Sequence, residues 1–246
     1  GLLAVAMSGV VSGIWLEHEH LPTKVVDAIE RRLPHTVPQT QIVPWRDINT
    51  NLHVIQVATF KISAVKIDGG SLAEVGGNIV IASPQGQLSY LDVRNQLHPL
   101  DLRAPINIEG LREDPLYKEP LFDVTVVRTH GLLAIQTGSD TYDLYASFSR
   151  FAGRCFEFVV SRVALQANNQ IVRPTGAWRD LWTAAPCVRL KDRGTLFAGT
   201  QTGGRMVRFN DATILVSVGD YQFDGFYDSQ AVAMDPATDL GQIIEL

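Results

Sequence analysis

From about residue 52 onward the chain is a succession of short apolar or alternating runs broken by Gly, Pro, Asn and Asp, and this texture constrains its fold most. HVIQVATF, KISAVKI, GNIVIAS, QLSYLDV, FDVTVVRT, LLAIQT, DLYASFS, CFEFVVSRVAL, TLFAG, RMVRF and TILVSV are each about strand length. They are rich in Val, Ile, Thr and aromatics, side chains that pack well on a pleated surface. No later stretch holds helical spacing for long, so an all-β body is expected. GGNIVIASPQGQLSYLD reads as a hairpin turning at Pro84-Gln85-Gly86, and FDVTVVRTHGLLAIQTG as a second turning at His130-Gly131. Sandwiches, barrels and propellers all accept short antiparallel strands in succession. Strand-turn-strand units recur near residues 76, 121 and 195, which suits propeller blades of about 40 to 50 residues.

The first sixteen residues, GLLAVAMSGVVSGIWL, carry no charge, and Glu17 is the first ionisable side chain. A bilayer span takes about 20 apolar residues, so this run reads as the C-terminal part of a membrane anchor over residues 1–20. A signal-peptide core and a buried core helix are the alternatives. Acidic and neutral residues, EHEH at Glu17 to His20, follow the run where a cytoplasmic flank would carry Lys and Arg. The main body is therefore expected on the periplasmic or extracellular side, in contact with membrane lipid through this segment. Within residues 21–50, LPTKVVDAIERRLP spaces Leu21, Val25, Ile29 and Leu33 by four between two prolines, as a short amphipathic helix does. HTVPQTQIVPW then reads as a linker ending near Trp45, before a β domain over residues 51–246.

With 46% hydrophobic residues a large core is within reach. Net charge is −5 and the 21 Lys and Arg are scattered, so the basic footprint that nucleic acid requires is missing. Two cysteines, Cys155 and Cys187, are an even count compatible with one disulfide in an oxidising compartment, the alternative being two buried thiols.

One stretch carries a resemblance. GTQTGGRMVRFNDATILVSVGD places Gly203-Gly204-Arg205 fifteen residues ahead of Gly219-Asp220, and Leu240-Gly241-Gln242-Ile243-Ile244 follows. This sequence is similar to the quinoprotein glucose/sorbosone dehydrogenase family of six-bladed β-propellers. In that family a histidine precedes a GGR-like turn, a hairpin ends in GD, and an LGKILR-like strand closes the segment. TYDLYASFSRFAGRCFEFVVSRVAL and WRDLWTAAPC look like the preceding blade of such proteins, which often carries a paired cysteine. The resemblance implies a propeller, incomplete in this chain, with pyrroloquinoline quinone and calcium as cofactors and a sugar as ligand. It also implies catalytic positions at Asp220, Arg205 and Gln201, the last standing where the family has its histidine. An imidazole with a pKa near about 6.5 can take a proton, whereas a glutamine amide only orients a hydroxyl. Losing a positioned base removes roughly 10² to 10⁴ in rate. The expectation is thus a non-catalytic binding subunit or scaffold within a membrane protein complex, with a quinone-dependent sugar dehydrogenase as the alternative.

The remaining clusters have blander readings. EHEH reads as solvated groups rather than metal ligands. Asp220, Asp224 and Asp228 in GDYQFDGFYDSQ read as turn-capping aspartates rather than a calcium loop. Trp178 and Trp182 in WRDLW suggest one helical turn that packs two indoles on the body. Arg150, Arg154 and Arg162 read as the exposed face of strands. No Ser-His-Asp order, phosphate-cradling glycine loop or CxxC pair is present.

Overall fold

A computed structural model describes residues 70–115, 127–153, 155–189, 201–223 and 232–246, together with the backbone of two strands at 40–49 and 54–62. The anchor and amphipathic-helix segments, TLFAG, Arg154, Asp224 and Asp228 lie outside the described residues. Among the described residues, no helix is long and apolar enough to cross a membrane.

Two compact units divide the chain, Gly1–Ala64 and Val65–Leu246. In the first, β1 (Thr40–Asn49) pairs antiparallel with β2 (Val54–Ile62). The stretch expected as a linker up to Trp45 therefore enters a strand at Thr40. Pro44 falls at the register shift between Val43 and Arg46, where its missing N–H breaks no regular ladder bond.

The second unit is all-β apart from one short helix and a 3-10 turn at Val232–Met234, among the described residues. Three antiparallel sheets follow one another along the chain. The first is a simple meander of β3 (Ser71–Val75), β4 (Asn78–Ala82), β5 (Gln87–Leu91) and β6 (Leu97–Arg103). Its β4–β5 turn falls at Pro84–Gly86 as the sequence indicates, and the Gly86 N–H donates to the Ser83 carbonyl at 2.9 Å. Helix α1 (Ile108–Glu113) leads away from it, capped by the Asn107 side chain, which accepts from Gly110 N at 3.3 Å. Ile108 and Leu111 are the buried side chains of that helix.

The second sheet contains β7 (Thr129–Gln136), β8 (Thr141–Phe151) and β9 (Phe156–Ala167). β9 is long enough to pair with both β10 (Val172–Pro174) and β11 (Arg179–Thr183). The turn expected at His130-Gly131 is inside β7, and the chain reverses instead at residues 137–140, where Thr137 N donates to Thr141 O at 2.9 Å. WRDLW is likewise strand β11 rather than a helical turn. A step of four residues suits one face of either element, so spacing alone could not separate them. Trp178 and Trp182 do pack against the core, and Arg150 and Arg162 sit on β8 and β9 facing carboxylates.

The β8–β9 turn is tied to the end of β11 by the Cys155–Cys187 disulfide, with a Cα–Cα distance of 5.7 Å. Beside it, Phe156 and Val188 exchange two backbone hydrogen bonds of 2.7 and 2.9 Å. The third sheet is another meander, β12 (Gly203–Arg208), β13 (Ile214–Val218) and β14 (Ile243–Glu245).

Two apolar clusters hold the sheets together. Val80, Leu88 and Leu100 of the first sheet meet Leu144, Val163 and Leu165 of the second. Phe148, Phe158 and Val160 of the second meet Val216 and Val218 of the third, with Ile108 and Leu111 of α1. Each such fully buried side chain stabilises the fold by about 1.5 to 3 kcal/mol relative to exposure. The packing sets β7 beside both β3 and β12, so the opening strands of the three sheets are neighbours.

Candidate functional site

A cavity of about 320 Å³ opens where those three strands begin. Its wall is Gly70 just before β3, residues 128–130 at the head of β7, and residues 201–203 with Arg205 at the head of β12. Two local features bring the strands this close. A Cβ on Gly131 would overlap the Gly204 carbonyl, and a Cβ on Gly204 would overlap the His130 side chain. Gly204 also has a φ of 102°, a conformation that side-chain-bearing residues rarely adopt. The glycines of the GGR motif therefore begin strand β12 and admit β7, rather than forming a turn.

Hydrogen bonds then tie the sheets. The Ser147 hydroxyl donates to Gly204 O at 2.6 Å, and the Thr129 hydroxyl to Ser83 O at 2.6 Å. His130 occupies the middle of this seam. Its Nε2 is 2.7 Å from Ser149 Oγ and its Nδ1 is 3.1 Å from Thr202 Oγ1. Its ring stacks on Phe158 at 5.8 Å. Ser149 in turn hydrogen-bonds the Tyr221 hydroxyl, a group whose pKa burial pushes up. A neutral imidazole can donate to one of these hydroxyls and accept from the other, whereas a protonated one can only donate to both. Desolvation first and the positive charge of Arg128 second hold His130 down to a pKa of about 3, so it is neutral at physiological pH.

The residues singled out in the sequence are brought to the same end of the β12–β13 hairpin. Gly219 N donates to Thr202 O at 2.9 Å and Tyr221 N to Gln201 O at 3.3 Å, which continues the pairing of these strands past β12. Gln201 has a left-handed backbone, φ 56°, and lines the cavity, as does Arg205. Asp220 does not line it. Its Oδ1 accepts from Gln222 N at 2.9 Å and so caps the turn that follows, as the sequence suggests for this loop. The Arg205 backbone N–H donates to Ser217 Oγ at 3.1 Å, while its guanidinium has no carboxylate partner among the described residues.

His130, Thr202, Ser149 and Arg128 are site residues that sequence reasoning passed over. One signal was available: Arg128-Thr129-His130-Gly131 and Gln201-Thr202-Gly203-Gly204 share a polar-Thr-x-Gly pattern, and both open the first strand of a sheet.

The cofactors implied by resemblance do not match this donor set. Among the described residues no group of three or more His, Cys, Asp or Glu comes together. Among the described residues the cavity wall has no carboxylate, a donor set that does not suit a calcium ion. A quinone's carboxylates would suit the two guanidinia, but sugar oxidation also needs a proton acceptor. Gln201 cannot serve as one, and His130 is already engaged at both nitrogens. No protein-family model matches the chain, and no curated protein matches it.

Proposed function

We propose that this protein is an exported, membrane-held β-propeller domain that binds a small sugar-like ligand without turning it over and serves as a binding or scaffold subunit of a membrane protein complex. The observation that carries the reading is the cavity wall. Among the described residues it offers the Gln201 amide and a neutral, doubly tied His130, and no group poised to take a proton. Three meander sheets in chain order, with their opening strands side by side, support the propeller, because blades stack around an axis in this manner. The Cys155–Cys187 disulfide supports an oxidising compartment. At about 320 Å³ the cavity suits a small molecule rather than a polymer.

The test is dye reduction by the full chain supplied with pyrroloquinoline quinone and Ca²⁺, against a panel of aldoses. No turnover is expected. Turnover would establish the dehydrogenase reading instead. Gln201→His then asks whether a base alone was missing, since a gain of activity in that variant would assign Gln201 the position of the lost base.

A further inference from the structure

We infer that the cavity at the heads of β3, β7 and β12 holds its ligand by a negatively charged group, a carboxylate or a phosphate ester, and not as a neutral sugar ring. The inference rests on the binding reading above and names the ligand class for that cavity.

Charge favours an anion. Among the described residues, Arg128 and Arg205 line the cavity and no Asp or Glu does. The four other cavities described in the molecule differ: each has a carboxylate in its wall, from Asp140, Glu74 or the Asp143 and Asp211 pair. Arg103, Arg150, Arg162 and Arg208 spend their guanidinium groups on acidic neighbours at 2.6 to 3.0 Å. Arg205 has no such neighbour among the described residues. Asp220, at the same end of the hairpin, points its Oδ1 at the Gln222 backbone. The charge of Arg128 is felt inside the wall, because it helps to depress the basicity of His130. In a chain of net charge −5 a cationic cleft stands out from its surroundings and concentrates anions locally.

The charged groups of the wall favour an anion as well. A sugar ring presents hydroxyls that donate and accept in equal measure, so its binding site needs both. Here the wall's hydroxyls are turned inward, Thr129 to Ser83 O and Thr202 to the His130 ring. Guanidinium groups have N–H donors and no acceptor. Among the described side chains of the wall the charged groups are both donors, and the acceptors are neutral, the Gln201 amide oxygen and the remaining lone pairs of the Thr129 and Thr202 hydroxyls. A wall whose charged groups are donors and whose acceptors are neutral matches a carboxylate or phosphate better than a neutral ring.

Isothermal titration of the full chain with gluconate, inorganic phosphate, glucose 6-phosphate and glucose tests this. Saturable, salt-weakened binding of gluconate or of the phosphates is expected, with glucose at least tenfold weaker. Gluconate against phosphate separates the two anion sources. Arg205→Gln should weaken the anion at least tenfold, as loss of a hydrogen bond to a charged group does. Arg128→Gln serves as a second variant, and Asp140→Asn in a different cavity should leave binding unchanged. Glucose binding as tightly as the anions overturns the inference, and so does anion binding indifferent to both arginine variants or the absence of any binding. Aldose turnover in the dye assay overturns only the binding reading, since the affinity ranking is measured separately.

Discussion

The two ends of β7 carry cavities of comparable size and opposite character. At the end where the strand begins, about 320 Å³ is walled by two arginines. At the end where it finishes, about 410 Å³ is walled by Asp140, Tyr142 and the turn over residues 167–170. Polar side chains at the finishing end shape turns. Asn168 Oδ1 accepts from Gln170 N at 3.0 Å and Ile171 N at 3.1 Å, and Asn78 donates to Asn168 O at 2.6 Å. At the beginning end they join one sheet to the next through His130 and leave a guanidinium facing the cavity. Size alone would favour the finishing end, so side-chain chemistry decides which is the candidate site.

The largest test of that contrast is Phe158→Ala. Phe158 is 1% exposed and carries the His130 ring, so the variant should lose roughly 3 to 5 kcal/mol in urea denaturation. Leu165→Ala, nearer the finishing end and equally buried, should cost a similar roughly 2 to 5 kcal/mol. The contrast between ends predicts that only the Phe158 variant also alters ligand binding. If both alter it alike, the two ends are not distinct.

Glycine substitutions come next. Gly204→Ala places a Cβ on the His130 side chain at a φ of 102° and should cost about 1 to 3 kcal/mol while closing the cavity. Gly76→Ala at the other end, with φ 58° and Ala167 Cβ at 3.1 Å, should cost about 1 kcal/mol and leave the cavity intact. Thermal melts paired with a binding titration read both outcomes.

Acid should act at the His130 end. The folded-state pKa of about 3 lies below the usual 6.5, so the unfolded chain takes up the proton first. The stability linked to this group is fully present above about pH 6.5 and is lost as pH falls toward 3. The slope approaches about 1.4 kcal/mol per pH unit. His130→Asn should flatten that part of the stability profile relative to the parent, and an unchanged slope would mean that His130 is not held neutral. The smallest effect is expected away from both ends: Arg103→Gln removes the exposed ion pair with Glu109 and should change stability by less than about 1 kcal/mol.

Much of the strand content was legible because it is written locally. Alternation and β-branching marked β4, β5, β8, β9 and β13, and Pro84-Gln85-Gly86 marked its own turn. Glycine was legible as a punctuation mark and misleading in meaning: Gly131 signalled a turn, and it serves a close approach between two sheets. Spacing was ambiguous for Trp178 and Trp182, since four residues fit one face of a helix or of a strand. At the site, Gln201 and Arg205 were visible because they belong to one hairpin. His130 was not legible as their neighbour, because 71 residues separate it from Gln201.

The sequence by itself determined an all-β body, a pair of cysteines able to bridge, and a polar residue without basicity at the head of β12, because side-chain type and short-range period carry those properties. Only the tertiary structure decided that β3, β7 and β12 begin side by side, that His130 meets Thr202 and Ser149, and that Arg128 joins Arg205 at one cavity. Those meetings depend on how separate sheets pack, and no local pattern along the chain specifies the packing of residues some seventy positions apart.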